Sequence, residues 1–299
     1  MDEPPPGYET VLKTRQRAEC LESRLVLEAV GVSAEAVHRK GWWLLVVSQG
    51  DLETALAELD AYRLENPERP TYTRTTVPVY GGAMVAVMIY AGIIILIAFL
   101  TAHSAYRLDW LAAGRMQSGK VMSGESWRTV TALTLHLDVG HILGNLAFGA
   151  VFGLLAGRVL GGGVAWLTIV IAGALGNFVN AVVQPPTHSS IGASTAVFAA
   201  LGVIVAHALG PWPVVQENRF KRWSPLIAGG LLLAFTGVGG ERTDVVAHLT
   251  GFLAGMLIGW VGCRLPNHWL ASGTVQKWAG FTAVAIVAFA WIVGLVVAG

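Results

Sequence analysis

Residues 245–263 read VVAHLTGFLAGMLIGWVGC, nineteen positions without an aspartate, glutamate, lysine or arginine. That is close to the length an α-helix needs to cross the hydrocarbon of a bilayer. Ala247, Gly251, Gly255 and Gly259 recur at every fourth position, a ridge of small side chains that lets a second helix approach closely. His248 interrupts the run near its start. An ionisable ring in lipid is expensive, so its presence demands a functional reason.

Six more apolar stretches of similar character cover about 79–101, 141–158, 161–183, 192–210, 225–239 and 276–298. The composition agrees: 54% of residues are hydrophobic and the mean hydropathy is +0.58, too high for an ordinary soluble chain. Charge is segregated, with 22 of the 39 charged residues lying before residue 79. The sequence therefore predicts a small soluble head and a polytopic, mainly α-helical membrane body that rests in a lipid bilayer. With a net charge of +1 and no dense basic stripe, nucleic acid is not an expected partner.

The head reads as an α/β unit over residues 8–66. Tyr8–Lys13 predicts a strand, and a helix follows from about Thr14 to Val30 with Leu21, Leu25, Leu27 and Val30 as its apolar residues. Ala34–His38 and Trp42–Ser48 predict a β-pair turning at Lys40-Gly41, and Asp51 caps a last helix facing inward through Ala55, Leu56, Leu59 and Tyr62. Asn66 to Pro78 is a polar, proline-containing linker. The domains expected are 1–75, 79–263 and a further helix at 276–298.

The start, MDEPPP, has neither the basic nor the apolar region of a cleavable signal peptide, which places the head in the cytoplasm. Basic residues on the connections then fall on the same side: Arg158, the cluster Arg219, Lys221 and Arg222, and the pair Arg264 and Lys277. The long loop 102–140 lies outside. It carries Arg107, Arg115, Lys120 and Arg128, a partial exception that a folded loop accommodates. Cys20 and Cys263 form no disulfide framework and no metal-type spacing.

In this topology four polar side chains share one depth. His141 and Asn145 begin the second span, Ser194 begins the fourth, and His248 lies near the start of the sixth. A serine hydroxyl becomes a nucleophile when a histidine removes its proton. The oxyanion formed by attack on a carbonyl needs donors fixed in advance. His141 and Asn145 stand four residues apart on one helix face, and with the Ser194 backbone N–H they make a candidate donor set. Asp244 lies one turn before His248 at the water boundary, where its expected work is capping, so the reading is a Ser–His dyad. Phe198, one turn after Ser194, is placed to brace the imidazole. A second small-residue stripe, Gly192, Ala196 and Ala200, is placed to meet the ridge of the sixth span.

Gly192-Ala193-Ser194, His141-x-x-x-Asn145, Ala247-His248-x-x-Gly251-x-x-x-Gly255 and Trp127-Arg128 resemble the motifs of the rhomboid intramembrane serine proteases, in the same order, over about residues 79–263. The resemblance implies a six-helix core, with Ser194 as nucleophile, His248 as base and His141 and Asn145 stabilising the oxyanion. Gly192, Phe198, Gly251, Trp127 and Arg128 are then supporting residues, the last two in a loop set partly in the outer leaflet. It also implies substrates that are transmembrane segments of other proteins, no metal or other cofactor, and a multi-pass protein of a bacterial cell membrane. Two departures stand out. Thr195 replaces the family's glycine after the serine, and Phe198 replaces a frequent tyrosine. The extra span at 276–298 resembles a six-plus-one arrangement.

The competing readings are a rhomboid-like protein that binds transmembrane helices without cutting them, and a transporter. The first rests on Thr195 alone. The second wants charge in mid-membrane, and no Asp, Glu, Lys or Arg occupies the middle of a span. Neither His-Glu-x-x-His nor paired membrane aspartates are present for other intramembrane proteases.

Overall fold

The computed structural model describes residues 6–66, 78–210, 219–237 and 243–298. It divides into two compact units, one through Arg74 and one from Thr75. The linker expected over 66–78 lies almost wholly outside the described residues, as does the MDEPPP start apart from Pro6.

The first unit runs β1 (Tyr8–Thr14), α1 (Arg17–Ala29), β2 (Ala34–Arg39), β3 (Trp42–Ser48) and α2 (Leu52–Glu65). The sheet is antiparallel with order β1-β3-β2. Leu44 to Val47 are all buried, which suits β3 to the middle, where a strand has neighbours on both sides. Lys40 (φ 47) and Gly41 (φ 82) both take the left-handed conformation that a two-residue hairpin turn requires.

The inward faces of the two helices differ from the expected ones. Leu25, Val30 and Leu56 are exposed, while Cys20 and Leu27 pack with Ala55, Leu59, Leu45 and Val47. A cysteine behaves as a small hydrophobe here, and it supplies the position that the leucine count had assigned elsewhere. Asp51 precedes α2 without capping it, because its carboxylate accepts from Ser48 Oγ at 2.7 Å.

The second unit contains α3 (Ala83–Ala102), α4 (Trp110–Gly114), β4 (Met116–Gln117), α5 (Ser118–Met122), α6 (Arg128–Thr131), α7 (Val139–Leu160), α8 (Gly162–Val183), β5 (Ser189–Ser190), α9 (Ser194–Ala208), α10 (Arg219–Gly237), α11 (Val245–Gly262), α12 (Asn267–Ala271) and α13 (Gly273–Ala298). Helices α3, α7, α8, α11 and α13 are long and apolar enough to cross a membrane. Helix α9 and the apolar part of α10 (Trp223–Phe235) are shorter. Fifteen residues of α9 rise about 22 Å, less than the roughly 30 Å of hydrocarbon. Because α9 is short and buried continuously from Thr195 to Val203, the side chain at its first residue sits inside the bundle.

Helix α11 packs on α9 through its glycine ridge. A Cβ on Gly251, Gly255 or Gly259 would collide with Thr195, Ala199 or Val203 respectively. The partner row is therefore 195/199/203, and the expected stripe of Gly192, Ala196 and Ala200 does not meet the ridge. Ala196 instead faces Gly173 of α8. A four-residue repeat fixes a spacing along the helix but leaves open which neighbour it touches.

Two more features differ from the sequence reading. Arg219, Lys221 and Arg222 stand in the first turn of α10 and not in the connection before it, whose residues 211–218 are outside the description. The end of the expected fifth span, 238–239, is outside it too. The long loop is folded into α4 to α6 with helical turns at Ala105–Arg107 and Ala132–Thr134.

Helix α13 braces that loop. Its Trp291 Nε1 donates to Thr134 Oγ1 at 3.0 Å and its ring lies 5.0 Å from that of Trp110. At its other end Gln276 closes the turn between α7 and α8. Its Nε2 donates to Leu160 O at 2.9 Å and its Oε1 accepts from Val164 N at 3.0 Å. Gly161 (φ 81) makes that turn, and a Cβ there would occupy the Gln276 side chain.

Candidate active site

Asp138 begins α7 by accepting from His141 N at 2.8 Å, and Asp244 begins α11 by accepting from Ala247 N at 3.0 Å. Each aspartate satisfies an orphan N–H of its helix and so sets where the following polar residues point. His141 and Asn145 lie in the first two turns of α7, and His248 lies in the first turn of α11. Ser194 opens α9 after Gly192, whose φ of 136° is readily adopted by glycine.

These residues converge on one cavity of about 750 Å³, lined among others by His141, Asn145, Ser190, Ser194, Asp244 and His248. Gly192 shows how tightly the groups are grouped. A Cβ there would lie 2.8 Å from His141 Nε2 and 3.4 Å from Ser194 Oγ, so the missing side chain leaves a gap bounded by both. The Phe198 ring packs on the His248 imidazole, centroid to centroid 4.5 Å at 36°. His248 and Asn145 are 7% and 6% exposed, enough to meet a small reactant and too little to be solvated. Asn145 Nδ2 donates to His141 O at 3.0 Å, which fixes the amide's direction, and the Asn145 backbone carbonyl accepts from Tyr90 Oη at 2.9 Å.

Thr195 has a housing. Its Cγ2 would lie 2.9 Å from a Cβ on Gly251 and 3.0 Å from one on Gly176, so glycines of α11 and α8 form the notch that accepts the methyl. The branched residue is accommodated by its neighbours and leaves Ser194 at the cavity.

Trp127, Arg128 and Gly251 do not line the cavity. Arg128 is 2% exposed; it bonds Glu125 Oε2 at 2.6 Å and the carbonyls of Ala112 and Arg115 at 2.8 and 2.9 Å. It thereby holds the stretch whose Leu111 and Arg115 form part of the cavity wall. Trp127 lies against Gly294 of α13.

Two groups at the site escaped the sequence reading. His136 Nε2 accepts from Ala193 N at 3.5 Å, and its ring stands edge-on to His141 at 5.0 Å. Burial, and then the nearby His141, pushes the His136 imidazole down to about 4, so near neutral pH it is uncharged and able to accept. The signal was a second histidine five residues before His141, passed over because it precedes the span. The other group is the cluster at Asp244, whose Oδ2 accepts from Asn180 Nδ2 and His188 Nε2, both at 2.8 Å. Burial raises the Asp244 pKa, but the bonds from Ala247, His188, Ser190 and Asn180 outweigh it and hold the carboxyl below its usual range. Loop 184–193 is further tied to the first loop by the β4–β5 pair and by Gly119 N donating to Pro186 O at 2.9 Å.

The model of the Rhomboid domain matches residues 123–265. Rhomboid-like protease 2 of Toxoplasma gondii is 33% identical over 136 residues, 46% of this chain and 47% of that protein. The putative rhomboid protease YdcA of Bacillus subtilis (strain 168) is 28% identical over 141 residues, 47% of this chain and 69% of its own length. RHOMBOID-like protein 5 of Arabidopsis thaliana is 29% identical over 157 residues, 52% of this chain and 50% of the relative. The chain spans about half the length of most of the curated relatives it matches. The matched segment contains the helices that carry Ser194, His248, His141 and Asn145, together with the loop of Trp127 and Arg128. This is an integral, multi-pass membrane protein whose residues 123–265 match the model of the Rhomboid domain.

Proposed function

We propose that the chain is a serine endopeptidase that cleaves transmembrane segments of membrane-anchored proteins by a Ser194–His248 dyad. The observation that carries the reading is that Ser194, His248, His141 and Asn145 line one cavity, with Phe198 against the His248 ring. His248 takes the proton from Ser194 Oγ as the oxygen attacks the scissile carbonyl, and returns it to the leaving amine. A ring N–H of His141, the second N–H of Asn145 Nδ2 and the backbone N–H of Ser194 face the developing oxyanion. Asn145 makes an efficient donor because the bond to His141 O already fixes its amide, so little reorganisation accompanies reaction. Water for hydrolysis of the acyl-enzyme reaches Ser194 through the same cavity. The head faces the cytoplasm in this reading, and no metal or cofactor takes part.

Labelling with a fluorophosphonate probe in reconstituted vesicles tests it. Wild type is expected to label and Ser194→Ala is not. Equal labelling of both places the nucleophile elsewhere. No labelling of the folded wild type leaves a rhomboid protein that binds helices without cutting them.

A further inference from the structure

Net charge hides a segregation inside the first unit. Five of the seven lysines and arginines between residues 6 and 66 are Lys13, Arg15, Arg17, Arg39 and Lys40, and the strand register gathers them. Lys13 lies opposite Leu44 and Thr14 opposite Trp43, while His38 and Arg39 lie opposite Trp43 and Trp42. All five cations therefore meet at one end of the sheet, around the Lys40-Gly41 turn, and all five are exposed.

Two indoles sit among them. Lys13 Nζ and the Arg15 guanidinium lie 5.2 and 4.7 Å from the centre of the Trp42 ring, and the Arg17 guanidinium lies 5.6 Å from that of Trp43. The His38 ring is 4.7 Å from Trp43. Glu9 and Glu35 lie at the other end of the strands, opposite Val47 and Val46, while Glu19 stands at the basic end with its carboxylate turned onto Thr14 Oγ1. Arg24 and Arg63 lie on the helices, beside Glu28 and Asp60.

We propose that this end of the sheet docks on the phosphate headgroups of anionic lipids. Clustered lysines and arginines are drawn to an anionic leaflet within a Debye length. Tryptophan with an apolar body and one N–H suits the headgroup level. A guanidinium stacked on an indole keeps its outer N–H groups directed at phosphate. The bilayer is also the anionic surface always at hand, since only sixteen residues separate Asn66 from Ala83 of α3, which makes the encounter intramolecular in effect.

Hydrogen exchange on the full chain tests this, in nanodiscs of phosphatidylcholine alone and with about a third phosphatidylglycerol. Peptides covering 13–17 and 39–43 are expected to exchange at least threefold more slowly in the anionic discs, and 0.5 M NaCl is expected to remove the slowing. Lys13→Glu/Arg15→Glu/Arg17→Glu abolishes the difference while 44–47 in the core strand stays protected. Arg24→Glu/Arg63→Glu keeps it. Should the triple variant lose core protection, Arg15→Gln/Arg17→Gln, which keeps most of each stem, is expected to halve the slowing. Equal exchange in both discs, or slowing indifferent to salt and to these variants, overturns the proposal. Stronger protection by an RNA oligonucleotide than by the anionic discs also overturns it, in favour of nucleic acid.

Discussion

Asp244 Oδ2 and His188 Nε2 lie 2.8 Å apart, joining the first turn of α11 to the loop that leads into Ser194. Asn180 of α8 donates to the same oxygen at 2.8 Å. One carboxylate thus holds in mutual register the segment before the proposed nucleophile and the helix that carries its base.

Asp244→Ala removes the cap and both side-chain bonds. We expect a loss of about 1–3 kcal/mol in stability and a fall in cleavage, with Ser194 and His248 untouched. Asp244→Asn retains a capping oxygen and most of the stability. The wild-type carboxyl is held below its usual range. A depressed carboxylate contributes stability above its unfolded value, about 3.9, and loses it as pH falls through the folded one. Thermal midpoints in detergent should therefore drop below about pH 4 in wild type and change less in Asp244→Asn; identical profiles would count against the clasp.

Ser194→Ala and His248→Ala are each expected to abolish cleavage of a single-span substrate in vesicles, with unfolding midpoints near wild type. Asn145→Ala should cost about 1–3 kcal/mol in the barrier, the scale of one lost oxyanion donor. An unchanged rate in Asn145→Ala removes that amide from the donor set.

The 4.5 Å contact between Phe198 and His248 makes the ring a support for the proposed base. Phe198→Leu keeps an apolar side chain while losing the flat face, so kcat should fall several-fold with KM little changed, and Phe198→Tyr should retain the rate. A Leu variant as fast as wild type would leave Phe198 as core packing alone.

The methyl of Thr195 fills the notch made by Gly176 and Gly251. Thr195→Gly empties it and adds backbone freedom, a combined loss of about 1–2 kcal/mol. Gly255→Ala drives a methyl at the Ala199 carbonyl and should destabilise by about 1–3 kcal/mol. Unfolding in detergent reads both, and a Thr195→Gly protein more stable than wild type would refute the notch.

Five of the seven expected spans were legible because lipid imposes a length and an apolar composition; α9 and the apolar part of α10 have the composition without the length. That Ser194, His248, His141 and Asn145 would meet at one cavity was legible for the related reason that polar atoms are rare there. What the sequence withheld depends on neighbours. The ridge of α11 announced its spacing but not its partners, Thr195, Ala199 and Val203. His136 lies outside the apolar run and gains meaning only beside Ala193 and His141. The basic end of the head sheet stayed hidden because Lys13 and Arg39 are far apart in sequence and meet through strand pairing.

Gln276 ties Leu160 O from 116 positions further along the chain. During synthesis the α7–α8 corner therefore stays unsealed for on the order of ten seconds after it leaves the ribosome, at ordinary elongation rates. The order of assembly is written into that amide: the α7–α8 corner is latched only once α13 has been inserted, and a protein caught earlier carries both helices in an unlatched frame.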